Sequence, residues 1–459
     1  MITRRLLYAA VGLLALSEVQ AGLTGLNQVE GSEVQAGLTG LNQVEGSEVQ
    51  AGLTGLNQVE GSEVLDGQAG QNRVEGWPQW RGTDRDGAAR FTLPASWPDK
   101  LTLQWKVDVG TGYAAPITVG DRVFAFSRQG EDEVMRALDA ATGKTIWETK
   151  YNATYKANPA ATRTHGTGPK STPAFADGRL YTLGMTGAVT AFDAATGKQL
   201  WQKPGGPVEP LYHTAMSPLV DRGLVIVHVG GHSNGALTAF DARTGEVRWS
   251  WNGDGPGYGS PIAADLGGTR QIITFTQENL VGVSAATGQL LWRRPYTVRS
   301  TRNAVTPIVN GQTVIVSGLG MPITAFRVSN RGGEWSIEDV WTNNDATMDM
   351  STGVLIGGRL FGFSPRNSGQ FFAIDANTGE TQWLSDPRQG ENAAVVRAGD
   401  LWFALEADAE LVVARANSKQ FEILKRYTVA DSATWAQPVL SGRRVLIKDV
   451  SNISLWTVD

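Results

Sequence analysis

From residue 101 to the C-terminus, short apolar runs alternate with turns rich in Gly, Asp and Thr, and the whole pattern recurs about every 40 to 50 residues. Within a unit, apolar residues fall at every second position, the period of a half-buried strand rather than of a helix. The most regular part is a turn followed by Trp: residues 138–143 (LDAATG) before Trp147, 192–197 (FDAATG) before Trp201, and 240–245 (FDARTG) before Trp249. Residues 283–288 with Trp292 and 374–379 with Trp383 follow the same plan. Asp139, Asp193, Asp241 and Asp375 can each accept hydrogen bonds from the backbone ahead. Gly143, Gly197, Gly245, Gly288 and Gly379 supply the positive φ that closes a hairpin. The tryptophan then starts an outer strand, where it can cover the gap to the neighbouring sheet.

A second marker precedes the first: a small residue, Pro, then apolar residues and a polar turn. It falls at Pro116, Pro173, Pro218, Pro261, Pro307 and Pro438, with Gly353 and Ala394 in the same register of two further units. Proline is tolerable on an innermost strand, which need not donate every amide to a neighbour. Eight inner-strand starts predict an all-β, eight-bladed β-propeller of four-stranded antiparallel blades. Only seven outer-strand marks follow them: Trp147, Trp201, Trp249, Trp292, Trp341, Trp383 and a degenerate Tyr427. The missing strand is assigned to residues 101–107, around Trp105, closing the ring against residues 453–459 and removing two exposed sheet edges.

Ahead of the propeller, residues 1–21 read as an export signal, with Arg4 and Arg5 before the apolar run 6–16. The pair of arginines fits an ordinary secretory leader and also resembles the twin-arginine type. No other run is apolar and long enough to span a bilayer, so a soluble monomer outside the cytoplasm, periplasmic or extracellular, is expected. Residues 17–31 (SEVQAGLTGLNQVEG) recur identically at 32–46 and 47–61 and decay through 62–76. These apolar positions keep neither period, so residues 22–76 read as a flexible arm, with a small repeat-built solenoid as the alternative. Residues 77–100 are expected to pack on the propeller.

Composition then narrows the chemistry. A formal net charge of -5 provides no basic surface for nucleic acid. The chain has no cysteine, which excludes disulfides, thiolate metal sites and a cysteine nucleophile.

The repeated A-x-D-x-x-T-G-x-x-x-W unit resembles the pyrroloquinoline-quinone-type (PQQ-like) propeller repeat. That superfamily includes quinoprotein alcohol dehydrogenases and the lipoprotein of the outer-membrane barrel-assembly machinery. Residues 77–82 (WPQWRG), followed by 84–87 (DRDG), look like the start of many exported bacterial propellers of this type. Their simplest role is an aromatic plug on the propeller. The resemblance implies pyrroloquinoline quinone with calcium as a candidate cofactor. The quinone enzymes typically hold it beneath a disulfide between adjacent cysteines, and the assembly lipoprotein carries a lipidated cysteine; this chain has neither. Fold is therefore shared, and function does not follow from it.

In such a ring, the loops leading into the inner strands gather around the channel mouth, the default ligand site. The longest, residues 151–170, carries His165 and Lys170; the next brings His213, and a hairpin at 228–235 places His232 on the same side. All four histidines thus fall in one sector. His165, His213 and His232 are either a metal or acid-base cluster or loop imidazoles satisfied by the backbone, and no spacing motif supports ligation. Lys170 could orient an anionic ligand or be solvated. Tyr113, Tyr258, Arg302, Asn303, Asp349 and Trp435 are the other candidates at the mouth, a set suited to a small polar molecule or an extended peptide. The acidic tip 131–133 (EDE) is a calcium candidate or a water-facing hairpin. The loop 253–257 (GDGPG) lacks the lysine or helix of a phosphate cradle.

No serine–histidine–acid order and no paired carboxylate stands out, so no catalytic residue and no metal site is assigned. The leading expectation is an exported, non-catalytic binding or scaffolding propeller that contacts protein or an extended or small polar ligand through the mouth. The alternatives are a pyrroloquinoline-quinone-dependent alcohol or sugar dehydrogenase, and a metal-assisted hydrolase or lyase using the His165/His213 sector.

Overall fold

The period-two pattern of each unit folds into four antiparallel strands, and eight such sheets form in the computed structural model, which describes residues 76–206 and 210–458. The expected export signal and the repeated arm, up to residue 75, lie outside the described residues. Blades 1 to 4 begin with inner strands Ile117–Val119, Ala174–Ala176, Leu219–Asp221 and Ile262–Leu266. Blades 5 to 8 begin with Ile308–Asn310, Val354–Ile356, Ala393–Ala398 and Val439–Ser441. The six prolines and Gly353 stand directly before their inner strands. In blade 7 the strand already starts at Ala393, one residue ahead of the Ala394 marker.

Blade 8 has only three strands from the C-terminal end of the chain, and its outer strand is Thr102–Asp108. That strand pairs antiparallel with Asn452–Thr457, placing Leu103 opposite Trp456 and Trp105 opposite Leu455 across a bulge. Closure therefore takes the predicted form.

Consecutive blades are joined by one repeated contact. The outer-strand tryptophan of one blade lays its ring on the turn glycine of the next and donates its indole N–H to a carbonyl of that turn. Trp105 reaches Ala140 O at 3.2 Å, Trp147 reaches Ala194 O at 3.1 Å, Trp201 reaches Ala242 O at 3.2 Å and Trp249 reaches Ala285 O at 3.0 Å. Gly143 has φ +70°, and a Cβ there would stand 2.8 Å from the ring of Trp105, so both its backbone and its lack of a side chain are required. The aspartates fix the same turns: Asp139 accepts from Thr142 N at 2.8 Å and from its hydroxyl at 2.7 Å.

The exceptions follow from local sequence. Blade 5 has no such turn, because its third and outer strands, Met321–Arg331 and Glu334–Asn343, form one long hairpin; Trp292 donates instead to Gln271 within its own blade. At the gap between blades 7 and 8, Tyr427 donates to Pro98 O at 2.7 Å, and Phe91 and Trp97 pack on Phe403.

Residues 77–92 enter the channel itself. Gly76–Trp77 adds a short strand inside blade 1, and the chain then turns under the mouth before leaving past blades 7 and 8 at Ala88 and Phe91. Arg81 and Arg85 are buried at its centre. Arg81 donates to the carbonyls of Gly353, Thr352 and Val395 at 2.7, 3.0 and 3.2 Å, and Arg85 to those of Pro218 and Ser217 at 2.8 and 3.2 Å. A guanidinium suits this site, since it has five donors and no acceptor and faces the carbonyl edges of inner strands.

Replacing Trp105 by Ala is expected to lower unfolding free energy by about 3–5 kcal/mol, because it opens the ring closure. Leu103→Ala, in the same strand but 45% exposed, should cost under about 1 kcal/mol. Urea denaturation of both variants checks the contrast.

Candidate functional site

With the plug crossing beneath it, the mouth becomes a cup partly open to solvent, with Trp80 of the plug in its lining. The indole of Trp80 is fixed by donating to Thr306 Oγ1 at 3.0 Å. All eight blades contribute lead-in residues. Tyr113, Lys170, Tyr212 and Tyr258 come from blades 1 to 4, and Arg302, Met350, Asn392 and Trp435 from blades 5 to 8. A smaller hollow of about 310 Å³ lies alongside, between Trp80, Arg81 and Trp435.

The lead-in loop of blade 2 contains a helix, Pro159–His165. Asn158 caps it by accepting from Ala160 N at 3.0 Å, and proline at the first helical position needs no amide partner. The helix sets Ala160, Ala161 and His165 on the cup wall. His165 then meets Trp435 edge to face, with ring centroids 4.4 Å apart.

Charge in the cup is predominantly positive. Lys170 donates to Tyr212 O at 3.1 Å, and Arg302 pairs with Asp349 at 2.5 Å. Burial pulls Lys170 down to about 8. Burial, and then the two nearby cations Lys170 and Arg302, bring His165 down to about 4, so its imidazole is neutral at pH 7. Burial holds Asp349 above the usual carboxylate range despite its arginine partner. Among the described residues no Asp or Glu lines the cup. Beneath it, burial lowers Arg81 to about 10 and Arg85 to about 9.

Six of the predicted mouth residues line this cup: Tyr113, His165, Lys170, Tyr258, Arg302 and Trp435. The others stand behind the wall. Asp349 acts through Arg302. Asn303 is buried and donates to the carbonyls of Thr276, Gln277 and Tyr296, holding its loop. His213 accepts from Asn158 N at 3.2 Å and packs on Tyr155, which positions the helix. His232 lies within 3.2 Å of the Tyr258 hydroxyl and of Leu211 N. The fourth histidine, His228, is buried with Nε2 3.0 Å from Asp254 O. Each imidazole thus has a separate task, and among the described residues no group of three or more His, Asp or Glu could hold a metal ion.

One further expectation is corrected. The acidic tip is not wholly water-facing: Glu133 is buried, Tyr151 Oη of its own blade donates to it at 2.6 Å, and Met185 N donates to it at 2.6 Å across the gap to blade 2. The loop 253–257 is closed on its own carboxylate, since Asp254 accepts from Asn279 at 2.7 Å, Gly255 N at 2.8 Å and Glu278 N at 3.0 Å. What sequence reasoning missed was mainly Trp80 as a cup residue. The WPQWRG run signalled a plug, and nothing local told which face of the ring its second tryptophan would serve.

A family model described as outer membrane protein assembly factor BamB matches residues 99–165 and 131–385. The chain belongs to this family of PQQ-like propellers. The dehydrogenase subunit of the alcohol dehydrogenase (quinone) of Gluconobacter oxydans (strain 621H) is 32% identical over 141 residues, 29% of this chain and 18% of that protein. Polyvinylalcohol dehydrogenase of Sphingopyxis sp. (strain 113P3) is 29% identical over 322 residues, 66% of this chain and 39% of that one. The chain therefore spans well under half the length of these relatives. The crystal structure of BamB from Moraxella catarrhalis superposes with a TM-score of 0.56 at 15% identity, covering 78% of this chain and 99% of that one, a likeness of fold. No helix among the described residues is long and apolar enough to cross a membrane.

The donor set can be tested against the family's quinone and its cation. Trp80, Trp435 and the tyrosines suit a flat ring, and Lys170 and Arg302 suit its carboxylates. A divalent cation needs several oxygen ligands, and among the described residues the cup wall offers no carboxylate while Asp349 is engaged by Arg302. The residues do not fit the metal-bound cofactor, and no redox step follows from them.

His228 generates a pH prediction. Burial lowers it from 6.5 to about 4, so between these values the unfolded chain binds a proton that the folded chain refuses. Stability from this residue is full above pH 6.5 and falls by about 3 kcal/mol as pH drops to 4. In urea titrations across that window, His228→Gln should lose less stability on acidification than the wild type.

Proposed function

We propose that this protein is an exported, non-catalytic binding propeller that holds a small polar or flat ligand in the cup at its mouth. The observation that carries this reading is the plug. Arg81 and Arg85 tie residues 77–92 across the channel, so an extended segment cannot thread through, while eight lead-in loops still converge on a pocket large enough for a small molecule. The cup wall has cations, hydroxyls and aromatic faces, and among the described residues it has no carboxylate of the kind that proton abstraction from an alcohol would use.

A dehydrogenase is the second reading. It is favoured by relatives named as an alcohol dehydrogenase (quinone) and a polyvinylalcohol dehydrogenase, and by a flat-walled, cationic cup. Against it stands the poor match of the donor set to a divalent cation.

Thermal-shift screening of small polar and aromatic metabolites against the wild type and Ala215→Trp separates these outcomes. Ala215 is in the cup wall, and an indole there fills the space. Ligands should raise the wild-type Tm by more than about 2 °C and leave the variant unmoved. Dye-linked oxidation of ethanol or polyvinyl alcohol that depends on added pyrroloquinoline quinone and calcium would replace the binding reading with the dehydrogenase.

A further inference from the structure

Given that reading of the cup as a ligand site, we infer that residues 154–167 are its lid: a strap hinged at Gly166 that swings over the blade 1 and blade 2 side of the cup and is latched shut by the contact of His165 with Trp435. Both ends of the strap are fixed to blade 1. Ala153 N donates to Glu131 O at 3.0 Å, and Ala153 O accepts from Arg128 at 3.1 Å. At the other end, Pro169 O accepts from Tyr113 N and Ala114 N at 2.8 and 2.9 Å. Tyr155 Oη then donates to Thr167 O at 2.6 Å, so the two ends meet at a neck and the residues between them form an Ω-loop.

Beyond that neck the strap is held at few points. Among the described residues, every hydrogen bond from residues 156–166 to the rest of the protein is made by Asn158: its N–H reaches His213 Nε2 at 3.2 Å and its Nδ2 reaches Leu211 O at 2.7 Å. Of these residues only Ala161 is buried, and a helix as short as Pro159–His165 does not hold itself in water. Segments with so few buried contacts open well before the whole fold does. Two glycines separate the fixed end from the hinge. A Cβ on Gly168 would stand 2.2 Å from Thr111 O, so that residue is clamped, whereas around Gly166, at φ +64°, nothing among the described residues lies within 4 Å of the same position. At the end of the helix, the contact that crosses the mouth is His165 on Trp435, which links the lead-in loops of blades 2 and 8 past that of blade 1. An edge-to-face ring pair shifts an equilibrium by about two- to tenfold, enough to latch a strap and too little to lock it.

The test exploits a chain without cysteine. In Ala215→Cys the cup wall carries the protein's one thiol, and its rate of alkylation by N-ethylmaleimide reads access to the cup. Adding His165→Ala should raise that rate about two- to tenfold. Adding Asn158→Ala instead, which uncaps the helix and frees its other side, should raise it as well. An exposed thiol in the blade 7 hairpin, Asp408→Cys, should react at the same rate in every background. Amide exchange followed by mass spectrometry should speed up by the same factor over residues 156–166 and stay unchanged in the strand Thr145–Asn152. An unchanged alkylation rate overturns the lid. So does a rise shared by the blade 7 thiol, or a rise without faster amide exchange, which marks a wider but static opening. None of these readouts contains a ligand, so a static strap leaves the binding reading in place, and a silent metabolite screen removes that reading without altering them.

Discussion

Everything in this ring depends on an indole resting on a glycine one blade away. A propeller blade has no sequence-distant partner other than its two neighbours, so the contact between sheets must be repeated around the circle. Trp105, Trp147, Trp201 and Trp249 each combine a large buried apolar face with one N–H aimed at a turn carbonyl. The turn glycine is needed twice over, for its positive φ and for the room that the ring occupies. Trp105 is the member of this series that comes from the opposite end of the chain. Its docking on Gly143 turns seven contiguous blades and a three-stranded remainder into a closed circle.

Closure leaves a channel lined by the free edges of inner strands, and the plug resolves that polar problem. Carbonyls at the starts of blades 3, 6 and 7 take hydrogen bonds from two buried guanidinium groups. The same arginines carry charge into the axis without a contacting carboxylate. The groups that satisfy the strands also close the channel beneath the cup. The choice of arginine rather than lysine follows from the need to reach several carbonyls from one side chain.

Much of the architecture was legible because it is local or periodic. The turn motif, the proline before each inner strand and the stray strand around Trp105 predicted blade number and closure. Blade 5 shows where that reasoning thins, since its long hairpin lacks the turn and Trp292 turns inward to Gln271. The site was legible only in part. Lead-in loops could be assigned to the mouth by topology, which correctly gathered Lys170, Arg302, His165 and Trp435. Side-chain direction within a loop has no period to read, so Asn303 and His213, one or two positions from cup residues, proved to be supports for backbone. Glu133 is a similar case, an acid at a hairpin that the neighbouring blade buries.

By itself the sequence determined the strand period, the turn chemistry and the number of repeats, because each depends on residues within a few positions of one another. It also determined the absence of thiol chemistry. Tertiary structure alone decided that Trp80 belongs to the cup, that Arg81 and Arg85 stand in the axis, and that three imidazoles go to three different tasks. Those outcomes depend on contacts between separate loops and blades, such as Arg85 with Pro218, Trp80 with Thr306 and His213 with Asn158, which no local pattern encodes.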